Sequence, residues 1–218
     1  MNNKIKAGLG LLVGLAFLLL LSVREERIVS GQNQCKYVAL TYDDGPNPIY
    51  TEELLEVLEK EQVKASFFLM GKQVEAYPTV VKKMAQQGHL LGNHTYSHIN
   101  VCETSLEQGL EEINRTSELI FENCGVKPEY FRPPFGCNRE SLVRKAGLFQ
   151  VFWNVDPKDW EVQNTDSVVN HVLKHVEDDD IILMHDEYKT TVEATKILIP
   201  ELKKRGYIFV TVDELMQP

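Results

Sequence analysis

The chain has 218 residues, 43% of them hydrophobic and 25% charged, an ordinary globular composition with enough length for one well-filled core. Its formal net charge of -9 argues against a phosphate-backbone partner, because nucleic acids are held chiefly by clustered Lys and Arg, and it favours a neutral or cationic ligand. Acidic side chains such as Glu107, Glu111, Glu112 and Glu118 fall on helix-like stretches and read as solubilising surface.

At the N-terminus, Lys4 and Lys6 precede an uncharged apolar stretch, residues 7–23, and Arg24-Glu25-Glu26-Arg27 closes it. That stretch is at the short end of a bilayer span and slightly above a signal-peptide core, and no clear small-residue cleavage site follows. The expectation is an uncleaved membrane anchor, with residues 1–6 cytoplasmic and the body exported; a cleaved signal is the alternative. Residues 24–36 read as a linker and residues 37–218 as one domain. Outside the cytoplasm, Cys35, Cys102, Cys124 and Cys137 are free to form disulfides. Their spacing excludes a C-x-x-C zinc site and leaves the pairing, or none, open.

From there strand-like and helix-like segments alternate. Val38 to Tyr42 precedes a helix from Thr51 to about Gln62, and Ala65 to Met70 precedes one containing Val80, Val81 and Met84. His89 to Gly92 leads to Ser105-Leu106-Glu107-Gln108, a capping-box pattern, with Gly125 as the stop. Glu129 to Phe131, Gln150 to Val155, Ile181 to Met184 and Tyr207 to Val212 complete seven strands, with helices near Ser141 to Ala146, Asp166 to Val176 and Val192 to Lys204. Pro200 is expected to kink or split the last helix.

Strict alternation predicts a parallel α/β sheet, either an incomplete (β/α) barrel or an open doubly wound sheet. The polar residues decide between them. Asp43 and Asp44, His94 and His98, Arg132, Asp156 and Asp159, and His185 with Asp186 follow five different strand ends, and they converge only if the strands close around one point. The predicted fold is therefore a distorted, incomplete (β/α) barrel of about seven parallel strands.

Two imidazoles four apart, His94 and His98, project alike from one helical turn, and with one carboxylate they make a His/His/Asp set suited to a divalent metal with an open water position. The second carboxylate of Asp43-Asp44 is then free to act as a base. Several other groups read as structural. These are His171 and His175 on an amphipathic helix, His89 at a strand start, Phe152 and Trp153 as core, and the turn Glu177-Asp178-Asp179-Asp180.

Taken together, Thr41-Tyr42-Asp43-Asp44-Gly45-Pro46, His94-Thr95-Tyr96-Ser97-His98, Arg132-Pro133-Pro134-Phe135-Gly136, Asp156-Pro157-Lys158-Asp159-Trp160 and Leu183-Met184-His185 resemble the five ordered motifs of the polysaccharide deacetylases, the NodB-homology or carbohydrate esterase family 4 enzymes. The resemblance implies that Asp43 is the general base, oriented by Arg132, and that Asp44, His94 and His98 bind the metal. It makes His185 the general acid paired with Asp159, and Trp160 and Leu183 the walls of the acetyl pocket. The backbone N–H near Phe135 would serve the oxyanion. Phe135 stands where the family usually has Tyr, which keeps that amide and loses a hydroxyl.

The implied activity is metal-dependent removal of N-acetyl groups from amino sugars of a cell-wall or extracellular polysaccharide, with Zn²⁺, or else Co²⁺, Ni²⁺ or Mn²⁺, as cofactor. An esterase for O-acetyl groups such as those of xylan is the alternative, and a non-catalytic glycan-binding relic the third. A relic has no need of Asp43, Arg132 and His185.

Overall fold

In a computed structural model, which describes residues 35–216, seven strands are interleaved with helices along the chain. They run β1 (Lys36–Asp43), α1 (Tyr50–Glu61), β2 (Ser66–Leu69), α2 (Gly71–Ala76), α3 (Pro78–Gln86), β3 (Leu90–Asn93), α4 (Leu106–Cys124), β4 (Tyr130–Phe131), α5 (Glu140–Ala146), β5 (Phe149–Gln150), α6 (Asp159–Val162), α7 (Thr165–His175), β6 (Asp180–His185), α8 (Lys189–Lys204), β7 (Tyr207–Phe209) and α9 (Val212–Met216). Every ladder is parallel, in the order β5-β4-β3-β2-β1-β6, with β7 paired to the first residues of β1. The expected anchor at residues 7–23 lies outside the described residues. Among those described, no helix is long and apolar enough to cross a membrane.

The sheet curls into a partial barrel whose seam lies between β5 and β6. The sequence predicts a strand through Val155, but only Phe149–Gln150 forms one. At Val151 the N–H still donates to the Phe131 carbonyl at 2.9 Å, whereas Asn154 already donates to Ile181 and Val155 forms an isolated bridge to Ile182. A segment that must change partner from β4 to β6 cannot extend either ladder, which is why the strand is short. β7 also stops early, because Glu214 accepts from the Thr211 N–H at 2.9 Å and starts α9 there. Across Pro200, α8 runs unsplit. The proline removes only the N–H owed to the Lys196 carbonyl, and Lys196 is exposed, so water can take that place.

Side-chain alternation decides what faces the barrel axis. On β1, Val38, Leu40 and Tyr42 point outward into the main helix-sheet core, which they share with Leu54, Leu58, Phe67, Ile182, Met184 and Leu198. Burial of each such side chain contributes about 1.5–3 kcal/mol. The opposite set, Ala39, Thr41 and Asp43, faces inward. Ala39, Phe68 and Val151, with Val212 of α9, fill the lower barrel, and Gly92 leaves the room that Phe68 occupies, since a Cβ there would lie 2.5 Å from the Phe68 ring. The inward row therefore turns from apolar below to polar above. α4 begins with the predicted capping box, Gln108 N–H to Ser105 Oγ at 3.1 Å and Ser105 N–H to Gln108 Oε1 at 3.2 Å.

Candidate active site

The same alternation that buries Leu40 and Tyr42 outside brings Thr41 and Asp43 of β1, Arg132 after β4, and Leu183 and His185 of β6 to the inner mouth of the barrel. Asp44 joins them because its backbone turns into the left-handed region, φ 73°. One cavity of about 340 Å³ is lined by Asp43, Asp44, His94, His98, Phe135, Trp160, Leu183 and His185, together with Pro133, Trp153, Asp156 and Tyr188. Arg132 and Asp159, both fully buried, stand behind that wall. The ten residues to which the resemblance assigns roles are thus brought together, and Asp156 joins them, whereas Asp186, expected at the same point, is fully buried against Gly45 and does not line the cavity.

Asp44, His94 and His98 form a set of potential metal ligands. Asp44 Oδ1 lies 3.4 Å from Nε2 of each histidine and has no hydrogen-bond partner. Donors each about 2.0 Å from a tetrahedral ion stand about 3.3 Å apart, so the spacing fits such an ion. Burial lowers both imidazoles, His94 to about 4, and keeps them neutral. His94 Nδ1 faces the Arg132 carbonyl at 2.7 Å; a carbonyl can only accept, so Nδ1 carries the proton and Nε2 offers its lone pair. Burial, reinforced by the Asp43 charge, pushes Asp44 up to about 7. A cation would relieve both the repulsion and the unpaired oxygen.

The inferred helical turn is not there. Residues 94–98 are a loop in which Thr95 (φ 64°) and His98 (φ 60°) are left-handed. The rings converge through loop geometry, with centroids 5.1 Å apart.

Asp43 and His185 flank the triad, and each is held by a buried partner. Arg132 Nη1 donates to Asp43 Oδ1 at 2.8 Å and to Thr41 Oγ1 at 2.7 Å, Nη2 donates to the Phe152 carbonyl at 3.1 Å, and the guanidinium packs 4.1 Å over the Phe68 ring. Asp43 Oδ2 faces the triad, 3.9 Å from His94 Nε2. Across the cavity, Asp159 Oδ1 accepts from His185 Nδ1 at 2.8 Å, while its Oδ2 accepts from the His185 N–H and the Thr191 hydroxyl. Burial by itself would lower His185; the hydrogen bond and charge of Asp159, with Asp43 and Asp44, outweigh it and raise the imidazole to about 9.

Phe135, 70% exposed and left-handed in a single 3₁₀ turn, sets its ring against His98 at 4.7 Å. A Cys102–Cys137 disulfide joins the loops that carry these two residues, while Cys35 and Cys124 are free. Trp153 and Phe152 are not core. Trp153 lines the cavity and Phe152 is 39% exposed, because the backbone leaves the sheet at this seam. Tyr188 also lines the cavity, and nothing in the sequence marks it beyond being an aromatic three residues after His185. Glu112, read as solubilising surface, accepts hydrogen bonds from the His94–His98 loop. His89 is structural as expected, accepting the Ala65 N–H at its Nδ1. His171 and His175 lie on α7 away from the cavity lining.

Gly45 sits against the fully buried Asp186, to which the Thr51 hydroxyl donates at 2.6 Å. A Cβ on Gly45 would lie 2.1 Å from Asp186 Oδ2. Gly45→Ala should therefore cost roughly 1–3 kcal/mol of stability, as overpacking does, and displace Asp44. Calorimetry and zinc titration of the variant check this.

A partial barrel with an Asp-His-His set at its mouth, flanked by the Asp43–Arg132 and His185–Asp159 pairs, has an architecture that suits metal-assisted hydrolysis. A family model described as polysaccharide deacetylase matches residues 30–151. The peptidoglycan-N-acetylglucosamine deacetylase of Bacillus cereus is 39% identical over 193 residues, 85% of this chain and 90% of that protein. PdaC of Bacillus subtilis, a peptidoglycan-N-acetylmuramic acid deacetylase, is 36% identical over 192 residues, which is 88% of this chain but 40% of PdaC. The solved PdaC structure matches with a TM-score of 0.81 over 84% of this chain and 90% of that chain. A carbohydrate esterase family 4 pseudoenzyme from Bacillus anthracis matches at 0.80 with 29% identity, over 84% of this chain and 66% of that one, so fold by itself does not carry activity. The chain belongs to the polysaccharide deacetylase family.

Proposed function

We propose that this domain is a metal-dependent deacetylase that hydrolyses N-acetyl groups on amino sugars of peptidoglycan. The observation that carries the reading is the placement of an open Asp44-His94-His98 set between Asp43, backed by Arg132, and His185, backed by Asp159. A non-catalytic glycan binder has no use for either backed pair. The relatives from Bacillus cereus and Bacillus subtilis are both peptidoglycan deacetylases, which supports the substrate class.

Asp44, His94 and His98 would hold the ion, for which Zn²⁺ suits the nitrogen-rich set. When bound, a divalent cation supplies Lewis-acid polarisation of the amide carbonyl and lowers the pKa of a water. Asp43 Oδ2, the oxygen that Arg132 leaves free, would accept a proton from the attacking water. His185 has Nδ1 committed to Asp159, so Nε2 delivers the proton to the departing nitrogen, without which an amine anion would have to leave. The Phe135 amide serves the developing oxyanion. Trp160 and Leu183 wall the acetyl methyl.

The apolar segment 7–23 supports a position outside the cytoplasm on a membrane anchor, and the Cys102–Cys137 disulfide is of a kind that persists there.

Removal of metal by a chelator should abolish acetate release and Zn²⁺ should restore it, while His98→Ala should lose zinc affinity. Acetate release from peptidoglycan, N-acetylglucosamine oligomers and acetylated xylan is the measurement. Activity on xylan alone would favour an O-acetyl esterase, and undiminished activity in metal-free protein would remove the metal assignment.

A further inference from the structure

The loop that carries the two histidines has an unusual conformation for its sequence. Thr95 and His98 are both left-handed without being glycine, so the surroundings must impose the turn. His94 is anchored directly, by the end of β3 and by its Nδ1 bond to the Arg132 carbonyl. His98 is not. Among the described residues no hydrogen bond holds its ring, which approaches Asp44 at 3.4 Å and packs on Phe135. Its place therefore depends on its backbone.

That backbone is gripped from α4 and α2. Glu112 Oε2 accepts from the Tyr96 N–H at 2.9 Å and the Ser97 N–H at 2.7 Å, and Oε1 accepts from the Ser97 hydroxyl at 2.9 Å. Asn93 Oδ1 takes the Thr95 N–H at 2.9 Å, and its Nδ2 donates to the Ile113 carbonyl and the Ser117 hydroxyl on α4. The Thr95 and Tyr96 carbonyls accept from Gly71 and Lys72 at the start of α2, each at 2.9 Å. Of the groups that bond the loop backbone, only the Glu112 carboxylate is charged, and it binds the two residues immediately before His98; Glu75 holds the Tyr96 hydroxyl instead, at 2.6 Å. Its carboxylate makes three charge-assisted bonds to the turn.

We propose that Glu112 is a positioning residue of the metal centre. By fixing Tyr96 and Ser97 it holds His98 opposite Asp44 before any ion arrives, so that binding does not have to order the loop. This rests on the reading of Asp44, His94 and His98 as metal ligands. Partners behind metal ligands typically change affinity by 10- to 100-fold when removed.

The test is the Zn²⁺ dissociation constant of the purified full-length chain, stripped of metal and titrated in competition with a chromophoric chelator, with folding followed by circular dichroism. Glu112→Ala should bind Zn²⁺ about 10- to 100-fold more weakly. Glu112→Gln should recover most of the affinity, since its amide oxygen can accept the two N–H groups and its NH₂ can donate to the Ser97 hydroxyl. Ser97→Ala should fall between, and Glu111→Ala, an exposed neighbour on the same helix, should match the parent. The Co²⁺ absorption spectrum should change in Glu112→Ala and not in Glu111→Ala. A folded Glu112→Ala with parental affinity overturns the proposal; if that variant does not fold, Ser97→Ala with parental affinity does so. A parent chain that binds no Zn²⁺ overturns the ligand assignment itself.

Discussion

Asp43→Asn is expected to lower turnover by about 10²–10⁴-fold, the usual contribution of a general base, while Zn²⁺ affinity stays close to that of the parent. Asn keeps the shape and an oxygen to accept the 2.8 Å bond from Arg132 Nη1, so the architecture behind the site is retained. What it loses is basicity at the atom that faces the triad. The substitution also leaves the fully buried Arg132 without a counter-charge. Loss of one partner of a buried pair costs roughly 3–5 kcal/mol, and the retained hydrogen bond should keep the loss below that. Single-turnover rates, zinc titration and calorimetry on one preparation separate the three effects. Parental turnover would remove Asp43 as the base, whereas loss of zinc would make it a ligand instead.

His185→Ala should cost a similar 10²–10⁴-fold, by loss of the acid. The pH dependence identifies its partner. A raised imidazole pKa, about 9, means that the proton-donating form is present below that value and lost above it, so it sets an alkaline limb. A cation in the triad adds positive charge and moves this limb lower, which makes the difference between variants the informative quantity. Asp159→Asn removes the charge and the strong acceptor while burial remains, so the limb should shift to lower pH. Profiles of kcat/KM for parent and variant check this. An unmoved alkaline limb in Asp159→Asn would falsify the pairing as a functional one.

Much of this site is legible in one dimension because a strand has period two. Thr41 and Asp43, Leu183 and His185 share their inward face by alternation, and the apolar residues between them need the opposite face for the helices. Capping chemistry was equally direct at Ser105 and Gln108. Loop conformation was not legible. An i,i+4 pair suggests a helical turn, but the N–H groups of Tyr96 and Ser97 are satisfied by Glu112 from a distant element, and that tertiary bond overrides local spacing. For the same reason Glu112 looked like one more acid on an amphipathic helix. Trp153 and the short β5 share another cause: the barrel closes there, and the partner switch from β4 to β6 leaves no trace in a run of apolar residues. The pairing of Cys102 with Cys137 depends on two loops meeting at the barrel mouth, which no spacing rule reports.

The most direct measurement of the central claim is the release of acetate from purified peptidoglycan by the Zn²⁺-loaded full-length chain, with the digested glycan analysed by mass spectrometry for free amino sugars. The expected result is acetate matched one for one by newly exposed amines in the parent, and neither product with Asp43→Asn. Zinc-loaded, folded parent protein that yields no acetate and no free amine from peptidoglycan or from N-acetylglucosamine oligomers would contradict it.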